Sequence, residues 1–191
     1  MQQDNLLVKI YQSPKTVFTA KDISLLWSEN NLNNLKRKIS YYAKNGGLIR
    51  LRVGVYAKDK NYNPREVATS LYTPSYLTFE TVLRDEGVIF QHYDSIFTAN
   101  NRSRKVKCDG KEYVYRKLAD EILYNNAGVT DKVGVATASK ERAFLDTIYL
   151  FKEYHFDNLS SINWEKCFEL APMYKNKELI ARLKRYQKQN A

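Results

Sequence analysis

The chain has 191 residues, 43% of them hydrophobic, which is room for one ordinary domain or two small ones with a buried core and excludes wholesale disorder. No apolar run approaches the roughly 20 residues of a membrane-spanning helix, and Met1 to Ile10 is too short and lacks the cleavage site of a secretory leader. The net charge is +10, and residues 1–60 hold +7 of it, as expected if the first third of the chain meets a polyanion.

Cys108 and Cys167 are the only cysteines and lie far apart, which gives no disulfide framework and suits a reducing compartment, so the cytoplasm is expected. Fifteen tyrosines and eight phenylalanines against seven glycines point to strands or aromatic packing.

Leu6, Leu7, Ile10 and Tyr11 recur at helical spacing, so a first helix is expected from about residue 3 to 12, ended by Ser13-Pro14. Val17-Phe18 reads as a short extended piece. Thr19, with Asp22 three residues on, has the spacing of a capping box and opens a second helix whose buried stripe is Ile23, Leu26 and Trp27. Ser28-Glu29-Asn30 reads as a turn. A third helix follows from about Asn31 to Asn45, stopped by Gly46-Gly47.

At about 100° per residue, Leu32, Leu35, Ile39, Tyr42 and Ala43 cluster on one side of that third helix. The other side carries Asn33, Asn34, Arg37, Tyr41 and Lys44, with Lys36 and Lys38 on its flanks, and almost no acid. A solvated helix face usually mixes Glu with Lys, and this one does not. Asn and Arg pair bidentately with purine edges in the major groove, while Lys and Tyr suit phosphates, so this is expected to be a recognition helix.

Leu48 to Arg52 alternates at period two, and Val53-Gly54 turns the chain into Val55-Tyr56-Ala57, a β-hairpin with Arg50 and Arg52 on one face. Three helices followed by a basic hairpin is the order of a winged helix-turn-helix, in which one helix enters the major groove of double-stranded DNA and the wing reaches the adjacent backbone. The expected fold is therefore α+β: a winged helix-turn-helix over residues 1–60, then a mixed α/β domain over residues 61–191 with an antiparallel sheet.

In that second region, Pro64 marks a helix start, with Val67, Ala68, Leu71 and Tyr72 on its buried side. Thr78 is expected to cap a short helix from Phe79 to Glu86, ended by Gly87. Strands are expected at Ser95–Thr98, Lys105–Lys107, Glu112–Tyr115, Gly128-Val129 and Val133–Ala136, with Asp109-Gly110 at a tight turn. Ser139 caps a helix reaching about Phe151, and two more helices close the chain near 162–170 and 176–187.

Three stretches here and at the wing resemble the abortive-infection antitoxin family AbiEi. They are Leu48-x-Arg50-x-Arg52-x-Gly54-Val55-Tyr56; Pro74-Ser75-Tyr76-Leu77-Thr78-Phe79-Glu80-Thr81-Val82-Leu83; and Ala138-Ser139-Lys140-Glu141-Arg142-Ala143-Phe144-Leu145-Asp146. The resemblance covers about residues 15–155. The resemblance implies an antitoxin of a phage-defence toxin–antitoxin operon, which binds inverted repeats in its own promoter and represses transcription. It also implies that the C-terminal domain is needed to counter a nucleotidyltransferase-type toxin, without a stable complex between the two. Relatives known only as regulators share these motifs, so a regulator without antitoxin activity is an alternative, as is a winged helix that docks on a protein.

Catalytic chemistry is not expected. His92 and His155 have no Cys or acid at zinc-ligand spacing, and there is no phosphate-binding glycine loop or nucleophile elbow, so neither metal nor cofactor is anticipated. Glu141 and Asp146 read as structural, with Asp146 four residues after Arg142 and able to pair with it. Arg102, Arg104, Lys105 and Lys107, with Lys111, Arg116 and Lys117, form a basic run that suits either a second phosphate-contacting surface or a solvated sheet edge. The last helix carries Lys175, Lys177, Arg182, Lys184, Arg185 and Lys188 on one side, and Leu179, Ile180 and Leu183 on another that could bury against a second copy.

Overall fold

The Thr19 hydroxyl accepts a hydrogen bond from the Asp22 amide at 3.1 Å, and the Asp22 carboxylate accepts one from the Thr19 amide at 2.7 Å. This reciprocal pair satisfies two of the backbone donors that a helix start leaves open. It launches the second of four helices in the first of two compact units, Met1–Leu71 and Tyr72–Ala191, of this computed structural model, which describes residues 4–190. Gln3, the expected first residue of the first helix, lies outside the described residues.

The first unit runs α1 (Asp4–Gln12), β1 (Val17–Thr19), α2 (Ala20–Trp27), α3 (Leu32–Lys44), β2 (Ile49–Arg52), β3 (Val55–Ala57) and α4 (Pro64–Leu71). The three strands form an antiparallel sheet in the order β1-β3-β2, with Val17 opposite Ala57 and Arg50 opposite Tyr56. Ile10, Phe18, Ile23, Trp27, Leu35, Ile39, Tyr42 and Leu48 make its core. Burying an aliphatic side chain of this kind contributes about 1.5–3 kcal/mol, so Leu35 and Ile39 anchor α3 firmly and fix which face it turns outward.

Two contacts set the limits of this unit. Gly47 follows α3 where a Cβ would stand 2.9 Å from Leu7 Cδ1, so only glycine lets α1 approach there without displacing that side chain. Glu66 of α4 accepts bonds from the amides of Thr16 and Val17 at 2.7 and 2.8 Å, capping the exposed edge of β1. That carboxylate ties α4 to the sheet, and the unit extends to Leu71 rather than ending at residue 60. On α4, Glu66 and Thr69 are buried together with Val67 and Ala68, while Leu71 is half-buried.

The second unit begins with β4 (Tyr76-Leu77) and α5 (Glu80–Asp85), then β5 (Ile96–Asn100), β6 (Arg104–Cys108), β7 (Lys111–Lys117) and α6 (Asp120–Leu123). It continues with β8 (Val129–Lys132), β9 (Val135–Ala138), α7 (Lys140–Leu150), α8 (Trp164–Leu170), a turn of 3-10 helix (Ala171–Tyr174) and α9 (Lys177–Gln189). The six strands lie in the order β6-β7-β5-β4-β9-β8. The sheet is mixed rather than antiparallel: β5 pairs with β7, and β4 with β9, in parallel. The β5–β7 pairing is parallel because β6 goes to the sheet edge and β7, antiparallel to β6, returns between it and β5. The whole is a mixed α+β chain.

Asp109 and Gly110, at φ 46° and 76°, form the expected tight turn between β6 and β7. Val133-Gly134 is likewise a turn, at φ 56° and 77°, so β9 starts at Val135 and not at Val133.

Thr78 does not cap α5. Its hydroxyl donates instead to Asp146 Oδ2 at 2.8 Å, and Phe79, at φ 54° and ψ −140°, stands at the helix start without a side-chain cap. Asp146 also accepts from the Tyr76 hydroxyl at 3.0 Å, the Tyr174 hydroxyl at 2.7 Å and Arg142 Nε at 3.1 Å. Arg142 spends its other nitrogens on the Tyr76 hydroxyl and on the carbonyls of Ile122, Asn125 and Ala127. Arg142 and Asp146 are both fully buried, and the cluster joins β4, α6, α7 and the 3-10 turn. Burial, with the Asp146 charge beside it, pushes the Tyr174 hydroxyl well above its ordinary range, so it remains a donor.

Candidate nucleic-acid interface

Asn31 caps α3: its side chain accepts from the amides of Asn33 and Asn34 at 3.0 and 3.1 Å. The cap uses the Asn31 side chain and frees those of Asn33 and Asn34, both exposed, to face outward from the first turn. Burial of Leu35, Ile39 and Tyr42 then turns Arg37, Tyr41 and Lys44 to the surface, where all three are exposed, as is Lys36 on one flank. The Tyr41 ring rests edge-on against Tyr42 at 5.4 Å between centroids, which props an aromatic hydroxyl on an otherwise cationic strip.

Lys38 is placed differently. Its Nζ lies 2.7 Å from Glu29 Oε2, and the lysine is half-buried, so one cation of the flank is already neutralised by an acid from the preceding turn. Reading α3 by itself missed this partner because Glu29 lies outside the helix.

Arg50 and Arg52 are both exposed on β2, as alternation predicts, although a bulge lies between them in the pairing with β3. Both precede the Val53-Gly54 turn, and Val53 is 80% exposed. The candidate residues of α3 and the hairpin thus all lie in one unit, on elements held by one core. A hollow of about 530 Å³ on the α1 side of α3 is lined by Leu6, Asn34, Arg37, Lys38, Tyr41 and Tyr42.

Leu32 departs from expectation. It is 68% exposed, not part of the buried stripe, and it opens onto an apolar groove of about 580 Å³ between α3 and the hairpin. Its place at the first position of α3, ahead of the first buried residue, Leu35, was the available signal.

The basic positions of the second unit are spoken for unevenly. Arg116, half-buried, pairs with Glu80 at 2.7 Å and sits over the rings of Phe79, Phe97 and Phe151, so its charge is held within the unit by an acid and three aromatic rings. Arg104 stacks on Tyr72 at 4.0 Å. Lys105 and Lys107 are exposed on the edge strand β6. On α9, Leu179 and Leu183 are fully buried against their own unit and Arg182 donates to the carbonyl of Ile148, while Lys175, which precedes the helix, pairs with Glu121 at 2.8 Å. The apolar side of α9 is therefore packed within its own unit at Leu179 and Leu183, while Ile180 is half-buried.

His92 and His155 lie beside Asp94 and Asp157 at 3.2 and 3.5 Å. Among the described residues, no group of three or more metal-ligating side chains is gathered, and no helix is long and apolar enough to cross a membrane. No protein-family model matches this chain, and no curated protein matches it.

Proposed function

We propose that the first unit is a winged helix-turn-helix that binds double-stranded DNA, with α3 in the major groove and the β2–β3 hairpin as the wing. The observation that carries this reading is the outward strip of Asn33, Asn34, Arg37, Tyr41 and Lys44 on α3, with Lys36 beside it and Arg50 and Arg52 on the hairpin. Its side chains divide by role: Asn33, Asn34 and Arg37 have the donors to read base edges, and Lys36, Tyr41, Lys44, Arg50 and Arg52 suit phosphates. Lys38 contributes less, because Glu29 holds it.

The chain as a whole is proposed to be a cytoplasmic, non-catalytic autorepressor that binds an inverted repeat ahead of its own gene, two copies to a repeat. The three motifs similar to the AbiEi family favour an antitoxin that opposes a nucleotidyltransferase-type toxin without a lasting complex. The buried Arg142–Asp146–Tyr76–Thr78 cluster is drawn from two of those motifs and gives their residues a structural role within the second unit. Fluorescence anisotropy of a labelled random duplex at two salt concentrations tests the DNA reading. Affinity that falls steeply with salt supports it, since each phosphate contact releases a counterion, and salt-independent or absent binding contradicts it. Rescue of growth against a co-expressed cognate toxin tests the antitoxin reading separately.

A further inference from the structure

The groove beside α3 has an apolar floor and a cationic rim. Leu32, Leu35, Ile39, Ala43, Val53 and Tyr56 line it, with Lys36, Lys44 and Arg50 around them and no acidic residue among its walls. Within it Leu32 is 68% exposed and Val53 80%, although both are large aliphatic side chains. At about 100° per residue, Leu32 falls about 40° from Lys36 and 100° from Asn33 around the helix but about 140° from Arg37, so it lies on the Lys36 flank of α3, toward the hairpin.

A surface that places an aliphatic side chain among cations fits a ligand that places an apolar group among anions. A DNA major groove does this wherever thymine occurs, since its C5-methyl lies between two phosphate backbones. Leu32 stands at the first residue of α3, and base edges are contacted mainly from the N-terminal end of a recognition helix. Asn31 is excluded from readout by its capping bonds, which leaves Leu32 as the first side chain of the helix available to a base.

We infer that Leu32 is a specificity-determining residue that packs against a thymine methyl group, which Asn33 and Arg37 cannot read. This rests on the DNA-binding reading and adds to it the identity of one base and the atom by which it is recognised.

The test uses the full chain and a duplex selected by it from a random-sequence pool, resynthesised with uracil in place of thymine one position at a time. At one or two positions per half-site, loss of the methyl weakens wild-type binding about fourfold, the change expected for one buried methyl. The Leu32→Ala protein binds thymine and uracil duplexes alike at those positions, with the affinity of wild type for the uracil duplex. Indifference of the wild type to every methyl overturns the inference, as does equal methyl sensitivity in Leu32→Ala. If Arg37→Ala abolishes selection of the duplex while methyl removal does nothing, only the Leu32 assignment falls. If the wild type selects no duplex, both readings fall together.

Discussion

Arg142 and Asp146, one helical turn apart on α7, form an ion pair at 3.1 Å with neither side chain exposed to solvent. In an isolated helix such a pair stabilises by only about 0.2–0.5 kcal/mol, but burial changes its weight, because removing one partner leaves the other charge in a dry interior. Arg142→Met or Asp146→Ala is expected to cost the second unit about 3–5 kcal/mol. Urea unfolding followed through Trp164, in a Trp27→Phe background so that only the second unit is reported, measures it. A loss below about 1 kcal/mol would mean that water reaches the pair.

The capping box of α2 gives a prediction for the first unit. Burial opposes ionisation of Asp22, but bonds from the Thr19 amide and hydroxyl and the charge of Lys15 outweigh it, holding the carboxyl below its ordinary range. An acid with a depressed folded-state pKa contributes stability that is fully present above its unfolded value, near pH 4, and lost as pH falls through the folded value. Asp22→Asn should therefore destabilise the first unit at neutral pH and make its stability less sensitive to acid below about pH 4. Thr19→Ala should cost about 1 kcal/mol at neutral pH. Trp27 emission in a Trp164→Phe background reports both.

The Lys38–Glu29 pair predicts an asymmetry on α3. Lys44→Ala should weaken binding to all duplex sequences alike and lower the slope of log affinity against log salt by about 0.9, whereas Lys38→Ala should change it less. Glu29→Gln should tighten binding, since it removes an acid from the duplex side and releases Lys38. Anisotropy titrations across a salt series compare the three. Equal slopes for Lys38→Ala and Lys44→Ala would show that the pair opens on DNA.

Burial pushes the Cys167 thiol up to about 12, with the Glu141 charge adding to it. In a Cys108→Ser protein at pH 8, Cys167 should resist a thiol-specific disulfide reagent until urea unfolds the second unit. Labelling within seconds under native conditions would show that α8 opens readily.

What was legible in the chain and what was not divides along physical lines. Helix starts at Thr19, Asn31 and Ser139 were legible because capping is local chemistry, written in residues three or four apart. The Asp109-Gly110 turn was legible for the same reason. Tyr76-Leu77 did not read as a strand, because its pairing partners are Ala99, Thr98 and Thr137, supplied by distant parts of the chain. Thr78 reads as a helix cap, and only the arrival of Asp146 from α7 redirects its hydroxyl. Arg116 looks like one member of a basic run until Glu80 is brought against it. On the candidate site, helical periodicity placed Arg37, Tyr41 and Lys44 correctly at the surface. It misjudged Leu32, because angular position says nothing about whether a neighbouring element extends far enough along the helix to cover its first turn.

The account depends most on α3 reading base edges, and one titration addresses that. Full-length protein is titrated against a duplex it selected and against a scrambled duplex, as wild type and as Asn34→Ala/Arg37→Ala. Each bidentate base contact contributes about 1–3 kcal/mol of discrimination, so the double variant should lose at least about thirtyfold affinity for the selected duplex and little for the scrambled one. Unchanged affinity of the double variant for the selected duplex would contradict the account.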